Sequence, residues 1–260
     1  MTWPWHTCSK DSAGVGSASA LLRRAAGVAV LACSLLVMPV LAATVAGTVE
    51  LTDSRDPAVR KHKDYSGVVL WLEPIQGASP APAPRRAQMV QKGKSFVPHV
   101  LAIPVGSVVD FPNFDPIFHN AFSNFSGQIF DIGLYPPGTN RTVTFKRDGI
   151  VRVFCNIHPT MSAVIVVLRT PYFAVSKPSG EFAIPDVAPG EYRLRIFHER
   201  SSEERTRSLE RRVMVDSAAV NLPTLSLSET GYLQMPHKNK YGKEYPPEIE
   251  DHVTYPGARK

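Results

Sequence analysis

Ile150-Val-Arg-Val-Phe154-Cys155-Asn156-Ile157-His158-Pro159-Thr160-Met161-Ser162-Ala163-Val-Ile-Val-Val-Leu168 is the stretch on which the reading of this chain turns. Val151-Arg-Val153 alternates apolar and polar, the period of a half-buried strand. Residues 163–168 are apolar without a break, the pattern of a strand buried on both faces. Between the two, one short loop carries a thiol, an imidazole and a thioether in the spacing C-x2-H-x2-M. A loop clamped by a strand at each end presents such side chains from a rigid frame.

A second imidazole lies upstream in Phe111-Pro-Asn113-Phe-Asp-Pro-Ile-Phe-His119-Asn120, which also follows a strand pattern, at 108–111. Further strands are expected at 45–51, 67–73, 100–104, 141–146, 181–184, 191–197 and 212–215. Residues 55–64 read as a charged loop, and 199–210 as a long hairpin loop or a short helix. Ser-Pro-Ala-Pro-Ala-Pro within 76–86 is a stiff, solvated linker. The 260 residues include 23 Pro and 17 Gly, which favours short strands joined by turns over a helical bundle. The fold class is therefore all-β.

Arg23-Arg24 followed by an apolar run from 25 to 43, ending in Pro39-Val-Leu-Ala-Ala43, reads as a secretory signal over 1–42, cleaved after Ala42 or Ala43. Two alternatives stay open. The run is long enough to remain as an inner-membrane anchor, and Val30-Leu-Ala-Cys33 has some likeness to a lipoprotein box. Removing 1–42 takes Lys10, Arg23, Arg24 and Asp11 away. That leaves 26 basic against 22 acidic residues, a net charge of about +4. Such a mild excess lacks the concentrated stripe of a nucleic-acid binder. Cys8 and Cys33 leave too, so the exported chain keeps Cys155 alone and has no internal disulfide to make.

His119, Cys155 and His158 with Met161 as a weak axial thioether are the donor set of one blue (type 1) copper ion. A structural zinc site calls for more Cys or His. His62, His99, His198, His237 and His252 share no paired spacing and read as structural or exposed, with His99 the best candidate for a secondary role. Phe154 and Asn156 flank Cys155, and no His-x-His pair is present. The second copper site that multicopper oxidases and nitrite reductases wire through a His beside the Cys therefore has no ligands, and no enzyme is expected.

The stretch Phe96–Pro98 through Val105-Gly106-Ser-Val-Val-Asp-Phe111, then Asn113, His119-Asn120 and Phe154-Cys155-Asn-Ile-His158-Pro-Thr-Met161, resembles a cupredoxin. The short loop spacing is most similar to amicyanin, and the arrangement to bacterial methylamine-utilisation-type cupredoxin proteins. The resemblance covers 87–170. It implies a Greek-key β-sandwich with Asn120 tying the two ligand loops together. It also implies an electron port at the edge of His158, ringed by Pro116, Ile117 and Pro159, with Pro159 stiffening the loop. Ser179-Gly-Glu-Phe182-Ala-Ile184-Pro-Asp-Val-Ala-Pro189-Gly190-Glu-Tyr192 resembles the carboxypeptidase regulatory-like, transthyretin-type sandwich. That family opens with strands like those at 46–51 and 67–72. The expected organisation is thus a discontinuous sandwich, 43–78 plus 171–228, a linker at 79–86, a cupredoxin domain at 87–170 and a polar tail at 229–260. The alternative gives the early strands to an enlarged cupredoxin.

The resemblance implies a periplasmic one-electron carrier whose partner is a redox protein, a dehydrogenase or a cytochrome c-like protein. Membrane contact is expected only if 1–42 stays uncleaved. The alternatives are copper handling or an envelope-binding module without redox turnover.

Overall fold

In the computed structural model the described residues are 42–245, apart from 125, 126, 217, 218 and 234. The expected signal and the end of the expected tail lie outside them. Among the described residues no helix is long and apolar enough to cross a membrane.

The fold is all-β, with two six-residue helices among the described residues, Pro57–His62 and Glu203–Ser208. Ser162–Leu168 sits inside a five-stranded sheet, parallel to Val100–Pro104 and antiparallel to Gly149–Phe154. Phe122–Ser123 and Phe130–Asp131 complete that sheet. A strand alternates its faces, so Ala163, Ile165 and Val167 enter one core with Val109, Phe111, Phe145, Val151 and Val153. Val164, Val166 and Leu168 point the other way, into a separate cluster with Val69 and Ala102, against which Trp71, Phe173 and Phe197 pack. Two apolar faces explain the unbroken apolar run. Burying each of these side chains contributes about 1.5–3 kcal/mol.

Opposite this sheet lies a smaller one, Asn140–Thr144, Val108–Pro112 and Arg86–Gln88, and between the two sits the core that holds Cys155 and Met161. Val90–Gln91 and Phe96–Val97 pair as a small ribbon that adds Phe96 to that core, and the remaining strands make two four-stranded sheets around a second core of Val45, Val49, Leu70, Leu72, Ile184, Leu194 and Val213, among others. Ala43–Thr52 pairs antiparallel with Glu181–Val187 and parallel with Leu225–Ser228. Val69–Pro74 pairs with Phe173–Val175 and with Gly190–Phe197. Strands from before residue 75 and after residue 172 therefore share sheets, while the chain between them forms the other core.

The 55–64 stretch, expected as a loop, contains the helix Pro57–His62. Asp56 caps it, accepting from the Ala58 N–H at 2.8 Å, and Pro57 occupies the first turn. Its Asp-Pro start is a helix signal that the charged composition obscures. Within 199–210 the helical option is the one adopted, with Ser202 as N-cap and Glu203 and Glu204 in the first turn. Gly180 has φ +84°, and a Cβ there would stand 2.1 Å from the Val49 carbonyl oxygen. That close approach lets the Val49 N–H donate to the Gly180 carbonyl at 2.9 Å.

Candidate metal centre

Cys155 leaves the Gly149–Phe154 strand and the chain re-enters the sheet at Ser162, paired across from Phe154. The loop is closed internally. The Cys155 N–H donates to the Met161 carbonyl and the Met161 N–H to the His158 carbonyl, both at 3.1 Å. His119 lies in the connection from Val108–Pro112 to Phe122–Ser123, on an isolated bridge to Tyr135 with backbone bonds of 3.2 and 2.9 Å.

These two supports bring three donors together. The Cys155 sulfur lies 3.8 Å from His119 Nδ1 and 3.4 Å from His158 Nδ1. Ligand atoms of all three residues fall within 4.8 Å of one another, and the two rings are tilted with centroids 4.8 Å apart. Bond lengths of about 2.0 Å to nitrogen and 2.3 Å to sulfur, at 120° around one ion, put N and S donors about 3.7 Å apart. The observed spacings bracket that value, so the three donors fit a small metal ion. Met161 is 1% exposed and shares the core of Cys155.

His119 is fully buried, and its Nε2 lies 2.8 Å from Asp115 Oδ2. A carboxylate only accepts, so Nε2 carries the proton and Nδ1 turns its lone pair toward the sulfur. Asp115 is itself cradled by the backbone N–H groups of Gly93 at 2.6 Å and Lys94 at 2.8 Å. Burial alone would raise the Asp115 pKa, but these donors and His119 outweigh it and hold the carboxyl below its ordinary range. Asn113 fixes the turn, donating from Nδ2 to the Ile117 carbonyl at 2.8 Å and accepting from the Asp115 N–H at 3.0 Å.

Burial lowers the pKa of both ligand imidazoles, that of His158 to about 4 with help from the nearby His119 charge. Both rings are thus neutral and ready to ligate at neutral pH. Burial pushes the Cys155 thiol up, although the backbone N–H groups of Ile157, Asn120 and His158 favour the thiolate. An incoming metal ion must therefore displace the thiol proton.

The other expected residues are distributed as follows. The Asn120 side chain donates to Asp131 Oδ1 at 2.8 Å rather than across to the cysteine loop; only its backbone N–H faces the sulfur. The charged acceptor on the adjacent Phe130–Asp131 strand captures the amide. Phe154 is buried against Phe122 and against His237, with centroids 5.9 and 4.5 Å apart. Asn156 Oδ1 accepts from the Lys240 N–H at 2.9 Å, and the Pro159 carbonyl accepts from the His237 N–H at 3.1 Å. His158, Ile117 and Pro159 are half-buried and Pro116 is exposed. His99 pairs with Glu199 at 2.5 Å and is not among the converging donors. It lines a cleft of about 790 Å³ with His198, Glu229, Phe154, Pro159 and His237.

Sequence reasoning missed Asp115, though a carboxylate four residues before His119 was there to be seen. It read His237 as structural or exposed and gave Lys240 and Tyr245 no part in the site.

No family model matches the chain, and no curated protein does. Among solved structures, the chain is similar to a purple cupredoxin from Nitrosopumilus maritimus, at 26% identity over 32% of this chain and 99% of that one, with a TM-score of 0.30. It is similar to the copper-containing nitrite reductase of Thermus scotoductus SA-01 at 27% identity and TM-score 0.31, over 46% of this chain and 28% of that one. It is also similar to a point mutant of amicyanin in the oxidised state, at 19% identity and TM-score 0.31, over 32% of this chain and 82% of that one.

Proposed function

We propose that this chain is a periplasmic type 1 copper protein that carries single electrons, of the cupredoxin kind and the methylamine-utilisation type. His119, Cys155 and His158 would hold one copper ion, with Met161 as a weak thioether ligand. The observation that carries this reading is the convergence of two imidazole nitrogens on one buried sulfur at 3.4 and 3.8 Å. Bound there, copper supplies a one-electron Cu(I)/Cu(II) couple.

The chain's own residues do the rest. The paired strands Gly149–Phe154 and Ser162–Leu168 of one sheet hold the loop ends fixed, and Asp115 sets the His119 tautomer. The buried walls, Phe111, Tyr135 and Met161 among them, keep water from the sulfur. His158, half-buried, is the electron port for a redox protein partner, a dehydrogenase or a cytochrome c-like protein. Residues 43–78 and 171–228 serve as a scaffolding or docking sandwich, and 1–42 directs export.

Cys155→Ala is expected to abolish the coloured Cu(II) species. Met161→Leu is expected to keep the colour and shift the potential. A coloured Cys155→Ala protein would overturn the proposal.

A further inference from the structure

Residues 235–245, expected as part of a polar surface tail, lie along the ligand loop and bond to it at nearly every turn. The His237 N–H donates to the Pro159 carbonyl at 3.1 Å, and His237 Nε2 lies 3.1 Å from the His158 carbonyl oxygen. The Lys240 N–H donates to Asn156 Oδ1 at 2.9 Å, and the Tyr245 hydroxyl donates to the Cys155 carbonyl at 2.8 Å. Four polar groups of the loop are thus engaged, from Cys155, Asn156, His158 and Pro159. The His237 ring also lies on Phe154, 4.5 Å between centroids and tilted by 34°.

The segment is also tied, through Asp131, to the residue next to His119. Lys240 Nζ pairs with Asp131 Oδ2 at 2.7 Å, and Asp131 Oδ1 receives the Asn120 amide beside His119. The segment has its own turn. Asn239 Oδ1 accepts from the N–H groups of Tyr241 and Lys243 at 2.9 and 3.0 Å, and Gly242 has φ +75°. That turn folds the chain back so that Tyr245 reaches the loop a second time.

We infer that residues 235–245 form a strap belonging to the metal centre, with Tyr245 and His237 as positioning residues that hold the ligand loop in its converged form. The inference rests on the copper reading above. The strap grips mainly backbone carbonyls of the loop, so its grip depends on the direction those carbonyls face. A metal ion that fixes the loop therefore tightens the strap. By linkage, the strap tightens metal binding by the same factor.

Hydrogen exchange of the full chain with and without copper tests this. Exchange across 235–245 is expected to slow several-fold when copper is loaded and to stay unchanged in Cys155→Ala. Tyr245→Phe removes one hydroxyl and keeps the ring. It is expected to weaken copper by up to about fivefold, the ceiling set by one ordinary hydrogen bond, and to shift the visible band. Equal exchange across 235–245 with and without bound blue copper would overturn the strap, as would unchanged copper affinity in Tyr245→Phe. A chain that takes up no coloured copper at all would instead overturn the copper reading and the coupling with it.

Discussion

Asp115→Asn isolates what the carboxylate behind His119 does. Asp115 receives three donors, the Gly93 and Lys94 N–H groups at 2.6 and 2.8 Å and His119 Nε2 at 2.8 Å. Its side chain is 10% exposed, so water substitutes poorly. An amide of the same shape keeps one acceptor oxygen and turns an NH2 toward donors on the other side. The charge is lost; with its oxygen toward Lys94 and His119 the amide opposes the Gly93 N–H, and turned over it opposes both Lys94 and His119 Nε2 and no longer enforces the His119 tautomer. Losing such an outer partner of a metal-bound imidazole typically lowers metal affinity about 10–100-fold. A carboxylate favours the more positive ion, so the loss falls chiefly on Cu(II). If it fell there alone, the potential would rise by about 60–120 mV, at about 59 mV per tenfold for one electron. Chelator competition for Cu(II) and potentiometry on the same samples read both quantities. Unchanged affinity and unchanged potential in Asp115→Asn would refute the role given to the carboxylate.

Two further expectations concern the second core. Burial would raise the Glu229 pKa, but His198, Ser54 and Arg200 together hold it at about 2, below its ordinary 4.5. A depressed carboxyl stabilises the fold above pH 4.5 and loses that contribution as pH falls toward 2, a difference of about 3 kcal/mol. Glu229→Gln should therefore lose about that much at pH 7 and flatten the stability profile between pH 4.5 and 2, as read by denaturant unfolding. Gly180→Ala should cost about 2–3 kcal/mol, from left-handed backbone strain and the broken Val49–Gly180 bond. A melting temperature equal to that of the parent chain would contradict that reading.

What the sequence made legible was set by how local each signal is. Cys155, His158 and Met161 share one loop between two strands, so their spacing alone puts them together. His119 was found because it too follows a strand. Asp115 escaped because its role depends on the Gly93–Lys94 turn, some twenty residues away in the chain and adjacent only in the fold. The apolar run at 163–168 spoke for two buried faces, but not for what covers the outer one. Val69, Trp71 and Phe197 do so, from strands far away in sequence. Strands of two residues, such as Phe122–Ser123 and Val220–Asn221, are too short for a period to show. The strap was least visible of all. Its polar, Tyr- and Lys-rich composition is that of a solvated tail, and its bonds run through irregular backbone whose register no pattern encodes.

Titration of the purified chain with Cu(II), followed by visible absorption and EPR, tests the central claim most directly. An intense thiolate-to-copper band with narrow hyperfine splitting, saturating at one copper per chain, is the predicted result. A pale, weakly held copper with ordinary splitting would contradict it and return Cys155 to the role of a buried thiol.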